Sequence, residues 1–338
     1  MISPVSVLLA LSMAANGAAE DTLAEMQRLL GGELTLAELN QAIFTLARLL
    51  TGNESLQVAN SVWFDQGRVE VLEEFLHANA RYFSANVYEA DFDNKATIEA
   101  INAWVFEKTL GMVDEIIEEI SPETIMYLIN AIAFEADWYT PFNEVLDSVF
   151  TTHDGTVQTV DMMWASNTAR FVSNHRASGF VKPYACENFS FAAFLPNENV
   201  DVLDFANSLT GQEFMGLMDS AEETSLRLGM PAFSFEYELS MVDALTSLGM
   251  PTVFCVNGAN FSNLGQARDN IYIADVIHKT FIEVDTHGTR AAAVTVVEFW
   301  PASMPHYENT VILNRPFVFA ITCNITNLPV FIGVVMEV

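Results

Sequence analysis

Apolar residues recur every three or four positions through the first third of the chain. The pattern covers residues 22–30, 36–50, 71–80 and 98–120, with polar residues between the apolar ones. Residues at this spacing share one face of an α-helix, so each apolar stripe can pack against a core. The pattern predicts a series of amphipathic helices.

Beyond about residue 125 the apolar runs shorten and become typical of strands. Such runs occupy residues 125–129, 189–195, 226–230 and 271–284. No Pro-, Gly- or Ser-rich linker and no internal repeat separates them from the helical part. A helix-rich first part followed by strand-rich sequence predicts one α+β domain built on large sheets.

Two long uncharged runs imitate membrane segments. Residues 1–19 resemble the apolar region of a secretory signal, but the first basic residue is Arg28, so the run is interpreted as mature sequence. Residues 316–336 are long enough to span a bilayer, yet two asparagines and a proline lie within the run. Two buried strands joined by a turn are the better interpretation, and no membrane association is expected.

The charge balance is strongly acidic. The 338 residues include 44 Asp and Glu against 14 Lys and Arg, which gives a formal net charge of −30. The basic residues are scattered singly, so a surface for nucleic acid or another polyanion is not expected. Hydrophobic residues make up 51% of the chain, which is too many for a disordered acidic protein and predicts a large core.

Local motifs of enzymes and metal sites are absent from the sequence. No two glycines lie two or four positions apart, which excludes the G-x-G-x-x-G and G-x-S-x-G motifs. No histidine precedes a glutamate, so H-E-x-x-H is missing too. Cys186, Cys255 and Cys323 lie far apart and are interpreted as small buried hydrophobes. We therefore expect that the protein is not an enzyme and binds no metal or cofactor. An active site assembled from residues far apart in the sequence would leave no local motif.

The segment near the C-terminus combines the pattern of a strand with that of an exposed loop. Read with a period of two, Arg290 and Glu298 fall on one face, and the other face is uncharged. The uncharged face comprises Thr289, Ala291, Ala293, Thr295, Val297 and Phe299. Prolines at 301 and 305 then favour an extended, exposed conformation. The segment is therefore predicted to adopt two states, and its exposed aromatic residues indicate a binding purpose.

Motifs spread over nearly the whole chain resemble the serpin family of suicide-substrate protease inhibitors. The longest are NAWV at 102–105, NAIAFEADWYTPF at 130–142, VIHK at 276–279 and NRPF at 314–317. The resemblance implies an α+β serpin fold, with large mixed β-sheets, surrounding helices and an exposed C-terminal reactive loop. It further implies one serpin domain over residues 1–338, with the hinge and reactive-centre loop at 286–306.

The mechanism implied by the resemblance fits a segment with two states. A protease would cleave the loop, and the freed hinge would insert into the main sheet as a new strand while the acyl-enzyme is trapped. Family members begin with a helix and a strand before the position of Ile2, so this chain is expected to lack them.

The resemblance also assigns the hinge and the reactive bond. The hinge would comprise Gly288, Thr289, Arg290, Ala291, Ala292, Ala293, Val294 and Thr295. Ala302 lies fourteen positions after Gly288, which matches the family spacing and places the reactive bond at Ala302–Ser303. The residues that contact the protease would be Phe299, Trp300, Pro301 and Met304. An alanine suits a small apolar pocket, so elastase-like serine proteases are expected targets, with subtilisin-like or papain-like proteases as alternatives.

Residues elsewhere match positions that control sheet opening in the family. Ser3, Ser6, Asn130 and His278 match a polar cluster beneath the opening point of the sheet. Trp138 matches the aromatic residue at the end where the loop first inserts. These residues are expected to control structure and not to perform acid–base chemistry.

One departure from the family pattern keeps a second function class open. Thr286 and His287 stand where the family usually has a charged pair before the hinge glycine. A non-inhibitory serpin, acting as a carrier, chaperone or storage protein, is therefore the alternative to an inhibitor.

The expected partner is a target serine protease held in a covalent complex. The protein is expected to be a monomer, and the family implies an extracellular location. Some serpins recruit heparin through a basic early helix, but residues 36–50 carry Glu38 and a single cation, Arg48. No heparin, nucleic acid or membrane partner is expected.

Overall fold

The computed structural model describes residues 1–52, 54–289 and 307–338 of the chain. These residues form two compact units. Unit 1 comprises Met1–Pro4, Phe134–Glu236 and Phe281–Val338, and unit 2 comprises Val5–Ala133 and Tyr237–Thr280. A single domain over residues 1–338 stays a prediction.

Most of the predicted helices are confirmed. Within the described ranges the α-helices are α1 (Pro4–Ala15), α2 (Glu20–Gly31), α3 (Leu36–Leu50), α4 (Glu73–Phe83), α5 (Lys95–Lys108), α6 (Val202–Ser208), α7 (Gly211–Asp219) and α8 (Val242–Ser247). Helix α3 begins with a capping box in which Thr35 and Glu38 exchange backbone and side-chain hydrogen bonds, so its start depends only on neighbouring residues. None of these helices combines the length and apolar character needed to cross a bilayer.

The helical prediction for residues 98–120 is wrong beyond Lys108, where α5 ends. Leu110 and Gly111 have φ angles of 55° and 70°, and this left-handed backbone cannot continue a helix. The Asn102 side chain then accepts hydrogen bonds from the N–H groups of Ile116 and Ile117 and donates to the Ile117 carbonyl. These side-chain bonds replace the ones that a helix would have made.

The strands fill the second half of the chain and part of the first. They are β1 (Leu56–Phe64), β2 (Val69–Val71), β3 (Asn86–Glu89), β4 (Met126–Phe134), β5 (Ala136–Asp137), β6 (Glu144–Thr151), β7 (Val157–Ser173), β8 (Ala177–Pro183), β9 (Phe189–Pro196), β10 (Glu222–Pro231), β11 (Phe233–Ser240), β12 (Gly265–Ala267), β13 (Ile277–Val284), β14 (Gly288–Thr289), β15 (Asn309–Ile312), β16 (Phe317–Cys323) and β17 (Pro329–Val335). Of the predicted strand at 271–284, only the part in β13 is a strand.

Unit 1 is organised around one large mixed sheet. Its strand order is β15–β10–β7–β8–β9–β16–β17, and β6 pairs with β7. Strands β9 and β16 are buried at every position, which explains their continuous apolar sequence. The run at 316–336 is the antiparallel pair β16 and β17, with Phe317 opposite Val335, so the prediction of two strands is confirmed, although β17 is only partly buried. Helices α6 and α7 pack on this sheet around Phe205 and Phe214.

Unit 2 contains a smaller sheet covered by helix α5. Its strand order is β3–β1–β4, and β1 and β3 run parallel. A core around Trp63, Ile101, Trp104 and Ile129 joins the sheet to the helix. Strand β4 is the last strand of this sheet, so its outer edge presents backbone groups to which another strand can bind.

Candidate functional site

The first two residues of the predicted hinge form a short strand in unit 1. Strand β14 is antiparallel to its neighbours, with Thr289 opposite Val284 on one side. On the other side Gly288 lies opposite Asp137 and Thr289 opposite Ala136. The chain therefore places these two residues within a sheet although the loop that follows them is intact.

Gly288 is at a position where no other residue fits. A Cβ atom built on Gly288 would lie 2.1 Å from the Ala136 carbonyl oxygen and 2.8 Å from the Asp137 Cα. Both atoms belong to the backbone and cannot move aside as a flexible side chain can. The close approach of β14 to β5 thus requires glycine.

A tight turn from Asp285 to Gly288 leads into the hinge strand. The Asp285 carboxylate accepts hydrogen bonds from the backbone N–H groups of His287, at 2.7 Å, and Gly288, at 3.0 Å. The Asp285 N–H donates to the Gly288 carbonyl at 3.0 Å. Thr286 and His287 therefore occupy the corner of a side-chain-stabilised turn, a position that requires no charged pair.

Trp138 binds this turn at two points. Its backbone N–H donates to the His287 carbonyl at 2.6 Å, and its indole Nε1 donates to the Asp285 carbonyl at 2.9 Å. The indole ring stacks on Tyr184, with 4.6 Å between ring centroids and 8° between planes. Trp138 thus contacts the residues that lead into β14, and its assignment to sheet opening stays a prediction.

Tyr184 contacts the hinge directly and was not among the predicted residues. Its hydroxyl lies 2.5 Å from the Thr289 hydroxyl, and both side chains are buried, with 0% and 3% exposed. Burial raises the pKa of Tyr184, so its hydroxyl keeps its proton. The sequence offers no local signal for this pair, because the two residues are 105 positions apart.

Lys182 is a second residue that the sequence did not indicate. It is 1% exposed, and its Nζ donates to the Thr140 carbonyl at 2.5 Å. The Nζ also lies 5.4 Å from the Trp138 ring centroid and 4.7 Å from that of Phe142. Burial lowers the pKa of Lys182 to about 7, because the charged form is removed from water. We refer to β14 with Trp138, Lys182 and Tyr184 as the hinge seat.

Unit 2 contains a cavity of about 450 Å³. Its walls include parts of α1, residues 125–130 in and just before β4, and residues 271–278. We refer to it as the unit 2 cavity. Three of the four residues assigned to the polar cluster, Ser6, Asn130 and His278, line it. Ser3 is not among the lining residues; its hydroxyl donates to the Val330 carbonyl in unit 1 at 2.8 Å.

The polar lining of the unit 2 cavity is neutral where the predicted cluster lies. Burial lowers the pKa of His278 to about 4, so the imidazole is uncharged near neutral pH. The Asn130 Nδ2 donates to Asn60 at 2.9 Å, and the Asn60 Nδ2 donates to the Phe83 carbonyl at 2.8 Å. The Asn130 Oδ1 is buried without a hydrogen-bond partner in the described part of the chain. A buried acceptor in this state has lost its hydrogen bonds to water without gaining others.

The remaining predicted site residues lie at 290–306, outside the described residues. They are the hinge residues Arg290, Ala291, Ala292, Ala293, Val294 and Thr295, the loop residues Phe299, Trp300, Pro301 and Met304, and the reactive bond Ala302–Ser303. Across 1–52, 54–289 and 307–338, no group of three or more metal-ligating side chains is arranged to hold a metal ion.

Comparison with known proteins gives a consistent result. The family model described as Serpin (serine protease inhibitor) matches residues 1–338. An uncharacterized serpin-like protein from Thermococcus kodakarensis is 30% identical, with 99% of this chain and 80% of the relative covered.

Solved structures resemble this chain over its whole length. The native state of tengpin, a thermophilic serpin, is 43% identical and superposes with a TM-score of 0.93, covering 100% of this chain and 88% of tengpin. Thyroxine-binding globulin in complex with thyroxine is 25% identical with a TM-score of 0.87, covering 99% of this chain and 91% of the globulin. The chain therefore has the same fold as these structures, with large mixed sheets and surrounding helices.

Proposed function

The chain belongs to the serpin family, and from that premise we propose that it inhibits a serine protease once per molecule by inserting its cleaved loop into a sheet. The observation that carries the proposal is β14, since Gly288 and Thr289 already pair with strand residues on both sides. A hinge that starts as a strand can continue as one when cleavage frees the residues after it.

The unit 2 cavity supports the same proposal. It lies along β4, which is the last strand of its sheet, and the unsatisfied Asn130 Oδ1 belongs to its lining. A new strand that forms about ten ladder hydrogen bonds, each contributing ~0.5–1.5 kcal/mol, would release enough free energy to compete with the rigidity of a protease. The small residues Ala291, Ala292 and Ala293 suit a strand that must enter an existing sheet.

We propose Ala302–Ser303 as the reactive bond and elastase-like serine proteases as the targets. The small apolar side chain of Ala302 fits a shallow primary pocket and lacks the cation that a trypsin-like pocket requires. Phe299, Trp300, Pro301 and Met304 would contact the protease. Subtilisin-like and papain-like proteases remain the alternative targets.

The test is incubation with an elastase-type protease followed by denaturing electrophoresis. We expect a covalent complex and a released peptide that begins at Ser303, identified by mass spectrometry. Ala302→Arg is the companion variant, which should move complex formation from elastase-type to trypsin-type proteases. A cleaved band without a complex, for every protease class tested, would contradict inhibition.

A non-inhibitory carrier is the second candidate function. It is favoured by the similarity to thyroxine-binding globulin, whose name and structure describe binding of a small ligand. In that case the loop would be cut as an ordinary substrate. Cleavage without a complex would support this candidate.

The proposal includes a monomeric protein that acts outside the cell without a polyanionic cofactor. Helix α3 carries Glu38 in its first turn and only Arg48 in its last turn, so it offers no basic face to heparin. An inhibition rate that rises on addition of heparin would contradict this part of the proposal.

A further inference from the structure

The hydrogen bond between Tyr184 and Thr289 joins the hinge to a strand region far from it in sequence. Thr289 is the last described residue before the loop, and its hydroxyl is buried in unit 1. A buried hydroxyl is stable only when it has a hydrogen-bond partner, because it has lost its bonds to water. Among the described side chains, the hydrogen-bond partner of the Thr289 hydroxyl is Tyr184.

Packing fixes the position of the Tyr184 hydroxyl. The ring stacks on Trp138 and meets Phe134 edge-on, with 4.9 Å between the ring centroids of Tyr184 and Phe134. The backbone N–H of Tyr184 donates to the Phe189 carbonyl at 3.1 Å. A ring held by two aromatic neighbours and at its backbone presents its hydroxyl at one place, which fixes the position of its hydrogen bond with Thr289.

We propose that Tyr184 is a positioning residue that holds Thr289 in the sheet of the uncleaved protein and so provides the starting point for strand insertion. The inference rests on the proposed function and extends it to a residue outside the loop. Insertion that begins from a strand already paired on both sides avoids the slow step of forming the first contacts. The outcome of a suicide inhibitor depends on whether insertion outruns hydrolysis of the acyl-enzyme, so this starting point affects how efficiently inhibitor is used.

The pair of hydroxyls predicts a specific pattern in a double-mutant cycle. Tyr184→Phe leaves the Thr289 hydroxyl buried without this partner, and Thr289→Val leaves the Tyr184 hydroxyl in the same state. In the double variant neither hydroxyl remains, and two apolar groups of similar shape replace them. Removing both partners is far less costly than removing one, so the double variant should resemble the wild type.

Hydrogen exchange of the peptide that covers residues 285–289 tests the positioning directly and requires no protease. In each single variant we expect exchange about tenfold faster or more, because the local opening of β14 becomes easier. In the double variant, most of the wild-type protection against exchange should be restored. The control is Tyr139→Phe, a nearby tyrosine that is 63% exposed, which should leave exchange unchanged. Equal protection in all variants would overturn the proposal.

The number of inhibitor molecules consumed per protease molecule tests the functional part. For Tyr184→Phe we expect it to rise by about twofold or more, because slower insertion gives the acyl-enzyme more time to hydrolyse. An unchanged number in a variant whose exchange is faster would overturn the link between the starting point and insertion. If the wild type forms no complex with any protease, the proposed function fails, while the exchange measurement still decides whether Tyr184 holds Thr289.

Discussion

The hinge seat and the unit 2 cavity differ in how completely the chain fills them. In the hinge seat Trp138, Lys182, Tyr184 and Thr289 are almost fully buried, and each has a hydrogen-bond partner within unit 1. Gly288 is needed there because even one added carbon would meet the backbone. The seat is therefore a packed site that has no room for anything more.

The unit 2 cavity is incomplete in both packing and hydrogen bonding. About 450 Å³ is unfilled along the edge strand β4, and the Asn130 Oδ1 is buried without a partner in the described part of the chain. Protein interiors usually pack to the density of organic crystals, and an empty volume forgoes the contacts that its lining would otherwise make.

The difference between the packed hinge seat and the unfilled unit 2 cavity shows where added contacts can increase the stability of the protein. A packed hinge seat loses stability when a side chain is enlarged or loses its hydrogen-bond partner, whereas an unfilled cavity can gain stability when something enters it. A protein that gains stability by accepting a strand needs both features: one that defines where the strand starts and one that leaves room for it. The following predictions test that contrast, from the largest expected effect to the smallest.

Replacing Thr289 by arginine should abolish complex formation and leave cleavage at Ala302 intact. An arginine at this buried position would carry a charge into a packed site, so β14 cannot re-form within the sheet. Denaturing electrophoresis with an elastase-type protease measures both outcomes. The control is Glu283→Arg, a change at an exposed position of β13, which should still form the complex. A complex formed by Thr289→Arg would show that strand insertion does not require Thr289 to be buried in the sheet.

Replacing Lys182 by methionine should remove a pH dependence of stability. The pKa of Lys182 is about 7 in the folded protein and near 10.5 when unfolded, so between these values the unfolded state binds more protons. Stability therefore rises with pH across this window, by on the order of a few kcal/mol from this residue. Lys182→Met should be more stable than the wild type near pH 7, with the difference shrinking toward pH 10.

Urea unfolding at several pH values measures this difference between wild type and Lys182→Met. Lys95→Met is the control, because Lys95 is exposed and its replacement should leave the wild-type slope intact. Parallel curves for the wild type and Lys182→Met would show that the buried amine carries no charge penalty.

Replacing His278 by glutamine should weaken acid destabilisation. The pKa of His278 is about 4 in the folded protein against 6.5 for the ordinary side chain, so the unfolded state binds more protons between these values. Stability from this residue is complete above about pH 6.5 and falls as the pH approaches 4, by on the order of 2 kcal/mol. Thermal unfolding between pH 4 and 7 checks the slope, with the exposed His77→Gln as control. An unchanged slope in His278→Gln would contradict the burial of a neutral imidazole.

Filling the unit 2 cavity should stabilise the uncleaved protein and impair inhibition. Ala10 lines the cavity from α1, and Ala10→Leu would place about three carbon atoms in it, contributing roughly 1–2 kcal/mol. The melting temperature should rise while more inhibitor is consumed per protease molecule. Ala80→Leu, on the exposed face of α4, should change neither quantity. A stabilised variant with unchanged inhibition would show that strand insertion does not require the empty cavity.

Local signals explain which elements could be predicted from the sequence. Helix α3 was predicted with its full length from its apolar stripe, and the Thr35–Glu38 capping box seen in the structure also acts within a few residues. The segment after Lys108 has a similar apolar pattern, but the Asn102 side chain, several residues away, binds its backbone and prevents a helix. The spacing of apolar residues carries no information about such a bond.

The same limit applies to the candidate site. The glycine and small residues of the hinge were visible in the sequence, and so were Asn130, Trp138 and His278 through the motifs around them. Tyr184 and Lys182 were not, because their importance comes from Thr289, Thr140 and the aromatic rings that surround them. No short stretch of sequence contains both members of either pair.

The sequence by itself indicated the family, most of the helices in the first third of the chain and several later strands, and it predicted the position of the hinge, because these depend on residue types at fixed short spacings. The tertiary structure decided that Gly288 and Thr289 form a strand in the uncleaved chain, that the buried Tyr184 hydroxyl contacts the Thr289 hydroxyl, and that the cavity beside β4 is left empty. These properties arise from close approach and burial of residues more than a hundred positions apart. Only packing in three dimensions sets such distances.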